Sequence, residues 1–175
     1  MSEKPRKQKN IYLIGFMGTG KSAVSHGLAE RIKYKRIDVD EAIEAQQQRS
    51  IADIFAQDGE PCFRALEKTF IERGHPDEGV VVSCGGGLPI QPGLFEMIAA
   101  RGDVVALLAE PTTIFKRTRG NVDRPLLNEK NPLEVIHSLL AERASVYQRA
   151  KVCVKTDELS IESIVDLICE QLNLR

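Results

Sequence analysis

The sequence predicts an α/β fold, a single domain over residues 1–175 in which helices cover both faces of a parallel sheet, making three layers. Three observations carry this. Short apolar runs recur at 11–14, 36–39, 80–83, 104–109 and 152–154. Several are apolar at every position, as strands buried on both faces are, where a half-exposed strand would alternate. Between the runs lie helix-length segments with a 3.6-residue repeat. Leu133, Ile136, Leu139, Leu140 and Val146 form one stripe, and Leu159, Ile161, Ile164, Val165, Ile168 and Leu172 form another. Strands alternating with helices give a parallel sheet with right-handed crossovers.

Each element follows in order. The first ten residues are polar and mostly basic, with no apolar run that would make a signal sequence, and are expected to fray. The run 11–14 is the first strand; it stops at Gly15, and a helix is expected from Ser22 to Ile32. The second strand is 36–39. From Glu41 to Arg73 the pattern is helical throughout, so helices are inserted at about 40–75, where an α/β protein builds a substrate pocket. Inside the insertion, Ser50-Ile-Ala-Asp53 has the spacing of a capping box, and Gly59-Glu60-Pro61 reads as a break followed by a fresh helix start. The third strand is 80–83 and the fourth 104–109. A turn-rich stretch from Arg117 to Pro132 is expected to be a lid, and two helices flank the last strand. The core then comprises about 11–39, 80–116 and 133–175.

Composition narrows the function. The formal net charge is −1, so no overall field attracts nucleic acid or an anionic membrane, and any affinity for phosphate must be local. No stretch approaches the roughly 18 apolar residues of a membrane span. Cys62, Cys84, Cys153 and Cys169 contain no C-x-x-C pair and read as reduced thiols of a cytoplasmic protein. Cys62 reads as a small packed side chain, not a nucleophile.

The chemistry is concentrated in Gly15-Phe-Met-Gly-Thr-Gly-Lys-Ser22, a complete phosphate-binding P-loop between a strand and a helix. Glycines let backbone N–H groups converge on phosphates, and the helix N-terminus adds positive potential. Gly18, Thr19, Gly20, Lys21, Ser22 and Ala23 are thus the candidate ATP contacts. Lys21 is expected on the β- and γ-phosphates and the Ser22 hydroxyl on Mg2+. The third strand ends in Ser83 without the usual acidic residue, which leaves Asp38 and Asp40 as the carboxylates. Spaced by two, they share a face if the strand persists that far; the competing role is to cap the following helix. Gly85-Gly86-Gly87 would bring backbone N–H groups close to a ligand. The remaining candidates are arginines: Arg64, Arg117, Arg119, Arg124, Arg143 and Arg149.

This combination resembles the shikimate kinases. The resemblance spans about Ile11 to Thr156 and rests on the P-loop, Asp38-Val-Asp40, Ser50-Ile-Ala-Asp-Ile-Phe55 with Asp58-Gly-Glu60, and Phe63-Arg64. It continues through Gly85-Gly86-Gly87, Arg124-Pro-Leu-Leu127, and Arg143 four residues before Tyr147. It implies ATP-dependent phosphorylation of the shikimate 3-hydroxyl, in aromatic amino-acid biosynthesis; a monomer is expected, and charge and apolar content predict neither nucleic acid nor membrane as a partner. It implies a five-stranded parallel sheet in the order 2-3-1-4-5. Carried over by position, Asp40, Arg64, Gly85, Gly86, Gly87 and Arg143 would bind shikimate. Ser22 and, through water, Asp38 would serve Mg2+, while Lys21, Asp40 and Arg124 would be catalytic. Arg117 would face the adenine. Two positions depart from the family's usual pattern: Leu88-Pro89 follows the glycines, and 156–160 lacks a proline opposite the adenine arginine. The rival readings are a gluconate kinase, which does not predict the arginines together with the glycine run, and a nucleotide-binding relative without activity.

Overall fold

The computed structural model describes residues 9–119 and 131–174. Its strands are β1 (Asn10–Gly15), β2 (Lys35–Asp38), β3 (Val80–Ser83), β4 (Gly102–Leu108) and β5 (Val152–Lys155). They form one sheet in the order β2-β3-β1-β4-β5, with every pairing parallel. β1 and β3 are buried along their whole length and β4 through its middle, as the unbroken apolar runs predict, whereas the edge strand β5 alternates buried and exposed positions.

Strand alternation divides the core in two. Ile11 and Leu13 of β1 face Val24 and Leu28 of helix α1 (Lys21–Ile32) and Ile164 and Ile168 of helix α7 (Ile161–Leu172). Tyr12 and Ile14 face the other side. There they meet helices α3 (Ile51–Arg73), α4 (Leu94–Arg101), α5 (Pro111–Thr118) and α6 (Pro132–Tyr147) through Phe70, Ile98, Ile114 and Ile136. Burying each such side chain contributes about 1.5–3 kcal/mol. The predicted stripes of α6 and α7 run slightly too far, since Leu133, Leu159 and Ile161 stay exposed.

The helical insertion consists of α2 (Val39–Gln47) and α3. Ser50 caps α3 as its spacing predicts, accepting from the Asp53 N–H at 3.0 Å. The expected break is present inside α3: Gly59 has φ 80° and ψ 170°, and Pro61 starts the second half. The second strand begins and ends one residue earlier than expected. It ends at Asp38, whose side chain accepts from the N–H groups of Asp40 (3.1 Å) and Glu41 (3.4 Å). Asp38 and Asp40 therefore do not share a strand face; a cap followed by a first helical turn brings them together. Of the predicted lid, Arg117 and Thr118 belong to α5 and Pro132 opens α6. Arg124 lies outside the described residues.

At the opposite end of the sheet, Asn10 ties two loops: its amide donates to the Pro76 carbonyl (2.8 Å) and its oxygen accepts from the Val80 N–H (3.1 Å). Beside it, His75 Nδ1 meets the Pro76 carbonyl at 2.8 Å and Nε2 meets the Tyr12 hydroxyl at 3.3 Å. A carbonyl only accepts, so Nδ1 carries the proton and Nε2 receives the hydroxyl's.

Candidate active site

One cavity of about 660 Å3 opens over the C-terminal ends of the strands. Its floor is the P-loop. Gly20, at φ 95°, is the N-cap of α1 and makes no side-chain cap bond, so the first N–H groups of the helix are left without a cap beside the cavity, the arrangement in which a helix N-terminus can receive an anion. Lys21 Nζ donates to the carbonyls of Gly15 (2.8 Å) and Phe16 (2.9 Å), which holds it along the loop. Gly18, Gly20, Lys21, Ser22 and Ala23 all line the cavity. The Thr19 side chain does not: it is buried and its hydroxyl donates to the Phe16 carbonyl at 2.7 Å, bracing the loop from within.

The far wall comes from the insertion and from the loop after β3. The first and third glycines of that loop make room for charged groups. A Cβ at Gly85 would sit 3.0 Å from Glu67 Oε1 and 3.2 Å from Asp40 Oδ1. One at Gly87 would collide with the Arg64 guanidinium at 2.7 Å, whereas one at Gly86 would make only ordinary contacts, 3.7 Å from Met17 N and 3.9 Å from Arg143 Nη1. Arg143 donates to the Gly86 carbonyl at 3.4 Å and lies over the Phe16 ring at 5.2 Å. The Tyr147 hydroxyl donates to the same carbonyl at 3.3 Å. The unusual Leu88-Pro89 points away from the cavity; both are buried behind the loop in a 3-10 turn.

Arg64 is held by two carboxylates. Glu60 takes Nε (3.1 Å) and Nη2 (2.8 Å), and Glu67 takes Nη1 (2.8 Å). Glu67 is fully buried and also accepts from Gln91 at 2.6 Å. Sequence reasoning missed both residues. Glu67 left a signal, because it falls on the buried stripe of α3 with Phe63, Phe70 and Ile71, where a carboxylate requires a partner. Gln91 left none.

Electrostatics sharpen the site. Among the described residues, Lys21, Arg64, Arg117 and Arg143 line the cavity against Asp38 and Asp40. Burial, then the Asp38 charge, pushes the Asp40 carboxyl up to about 6, with Lys21 and Arg64 opposing. Asp40 Oδ1 is buried with no hydrogen-bond partner, a position suited to receiving a donor from a ligand. Burial raises the Cys84 thiol far beyond reactivity, and all four cysteines are free.

Arg117 is fixed by its edge. Nη1 donates to the Gly18 carbonyl (3.2 Å) and the Thr156 hydroxyl (3.0 Å), and Nη2 to the carbonyls of Thr156 (2.7 Å) and Asp157 (3.4 Å). Thr156 thus stands in the segment without proline and anchors the arginine, leaving the guanidinium plane for stacking. Arg149 lies elsewhere, paired with Glu96 at 2.6 Å over the Phe95 ring.

Ser22 and Asp38 offer a divalent cation a hydroxyl and a carboxylate, and among the described residues no cluster of three or more His, Cys, Asp or Glu adds to them. So sparse a set of oxygen donors fits a metal that arrives on nucleotide phosphates and keeps several waters.

The family model for shikimate kinase matches residues 17–173. The chain belongs to the shikimate kinase family. It is therefore an ATP-dependent kinase. A shikimate kinase of Sulfurihydrogenibium sp. is 42% identical over 167 residues, covering 95% of this chain and 99% of that protein. One from Thermus thermophilus is 42% identical over 171 residues, covering 97% and 93%. The solved shikimate kinase from Acinetobacter baumannii, in complex with shikimate, superposes with a TM-score of 0.89 at 30% identity, covering 95% of this chain and 93% of that one.

Proposed function

We propose that the chain transfers the γ-phosphoryl group of ATP to the 3-hydroxyl of shikimate, giving shikimate 3-phosphate and ADP, as a cytoplasmic monomer with Mg2+ on the nucleotide. The observation that carries this reading is the convergence of Arg64 and Arg143, from the insertion and from α6, on the cavity that the P-loop floors. Two guanidinium groups beside a carboxylate with a free oxygen suit a ligand that has both an acid group and hydroxyls.

Each residue has a role in that reading. The α1 N-terminus and Lys21 hold the β- and γ-phosphates, and Arg117 stacks on the base. Arg143 and Arg64 bind the shikimate carboxylate. Glu60 is exposed and its pairing with Arg64 is weak, below about 1 kcal/mol, so a substrate carboxylate displaces it. Buried Glu67 keeps its hold and fixes the direction of the fork. Asp40, ionised above about pH 6, accepts the proton of the reacting hydroxyl. Ser22 and, through water, Asp38 would hold Mg2+, which would offset phosphate charge during transfer. Lys21 and Arg124 would neutralise the transferring group.

A coupled ADP-release assay with shikimate, gluconate and nucleoside monophosphates tests the reading. Shikimate alone should support turnover. Arg64→Lys and Arg143→Lys should each raise the shikimate KM about thirtyfold or more, because an ammonium lacks the planar fork, while the ATP KM moves a few-fold. The double variant should fall short of the summed effects, since both arginines grip one group. Turnover with gluconate instead, or wild-type shikimate kinetics in both variants, would overturn the assignment.

A further inference from the structure

Arg36 has no part in the roles above, yet it joins the two elements that carry Ser22 and Asp38. It precedes Asp38 by two residues on β2, so both side chains leave the same face of the strand. The Arg36 side chain is only 18% exposed. Its Nε donates to the Ser25 hydroxyl at 3.0 Å. Ser25 is itself fully buried and donates to the Ser22 carbonyl at 2.8 Å, one turn back along α1. Nη2 meets Asp38 Oδ2 at 3.4 Å, while Asp38 Oδ1 is held by the first N–H groups of α2. Glu41 closes the arrangement, with Oε2 3.0 Å from Nη1 and Oε1 3.2 Å from Nη2.

We propose that Arg36 is a positioning residue for the metal–nucleotide site, fixing the Asp38 carboxylate relative to α1 and so setting how well Ser22 and Asp38 together receive a divalent cation. The inference rests on the reading of those two residues given under the proposed function. Charge alone argues the other way, because a cation next to Asp38 repels a metal ion. Glu41 decides between the two effects. Its carboxylate meets both outer nitrogens of Arg36, so the pair is close to neutral when viewed from the cavity and its orienting effect dominates. Outer-shell partners of a metal site, whether they reach the ion through water or orient a group that does, typically control affinity about tenfold or more.

The test is calorimetric titration of ADP with and without Mg2+, and of shikimate, on wild type, Arg36→Met, Arg36→Lys and Glu41→Gln, with Tm recorded for each. Arg36→Met keeps the apolar stem and should weaken binding of the Mg2+ complex of ADP about tenfold. Binding of metal-free ADP and of shikimate should stay within about twofold, since neither uses Asp38. Arg36→Lys should recover part of the loss, because it restores the charge without the three-way fork. Glu41→Gln should also weaken the Mg2+ complex, by exposing the Arg36 charge. Unchanged or tighter Mg2+-dependent binding in Arg36→Met overturns the proposal. Equal weakening of all three ligands with a lower Tm overturns it too, since that marks a purely structural arginine. A wild-type protein that binds no ADP under either condition would instead remove the kinase reading beneath it.

Discussion

Burial and the neighbouring Asp38 hold the Asp40 carboxyl at about 6, well above its ordinary 3.8. The folded protein therefore binds this proton more tightly than the unfolded chain does. That contribution to stability is complete below about pH 4 and is lost as pH rises through about 6. Asp40→Asn removes the penalty of burying the charge. At pH 8 it should be more stable than wild type, by on the order of 2–3 kcal/mol, and the advantage should vanish near pH 4. Its turnover should be low throughout, whereas wild-type kcat/KM should climb through about pH 6 as the carboxyl ionises. Thermal melts at the two pH values check this; a stability gap that does not change with pH would mean that Asp40 is ionised without penalty. At this scale the sequence was legible wherever a residue type has one chemical reason to stand at its position. Lys21 is such a residue, whereas Arg64 and Arg143 were two of six candidate arginines until the resemblance singled them out; all three line the cavity. Glu67 was legible only as a carboxylate on a buried stripe and Gln91 not at all, because Glu67 holds Arg64 and Gln91 holds Glu67, relations between side chains that no spacing encodes.

Helix α3 shows what spacing does encode. Gly59-Glu60-Pro61 marks a break, and the break is there, with Gly59 at φ 80° and ψ 170°, a conformation essentially closed to other residues. A Cβ at Gly59 would meet nothing closer than Pro61 Cδ at 3.6 Å, an ordinary contact. Gly59→Ala thus isolates backbone strain, and should cost about 1–3 kcal/mol. Glu60 and Arg64 lie in the first turns after the break, so any relief of strain by straightening the helix re-aims the arginine. The shikimate KM should rise while the ATP KM holds. Denaturant unfolding and substrate titrations measure both, and a variant as stable as wild type would show that the break relaxes freely. The end of β2 was less legible. Ile37, Asp38 and Val39 read equally well as strand, and only the Asp38 cap on the Asp40 and Glu41 amides reveals that the helix starts at Val39.

Across the whole molecule, the parallel sheet places the chemistry at one pole and leaves the other to hold the strands in register. Strand number was legible from the apolar runs; strand order came through the resemblance, because burial on both faces does not say which strand lies beside which. The far pole left no motif, yet it contains a titratable group. Burial lowers the His75 pKa, and the neutral ring accepts the Tyr12 hydroxyl while donating to Pro76. With the folded value below the unfolded one of about 6.5, its contribution is present above that pH and is lost as pH falls through the lowered value. Asp40 acts in the opposite sense over part of the same window, so the wild-type melting curve alone would mix the two. The difference between wild type and His75→Gln separates them, since Asp40 is common to both. The glutamine oxygen can still accept from Tyr12, so the variant should lose only about 1 kcal/mol at pH 7.5. That gap should narrow as pH falls below about 6.5, where wild type must protonate or expose the ring. Because His75 lies outside the cavity, kcat and both KM values at pH 7.5 should stay near wild type. A gap that is constant with pH would show that the ring is not held neutral, and altered kinetics would show that the two poles are coupled through β1.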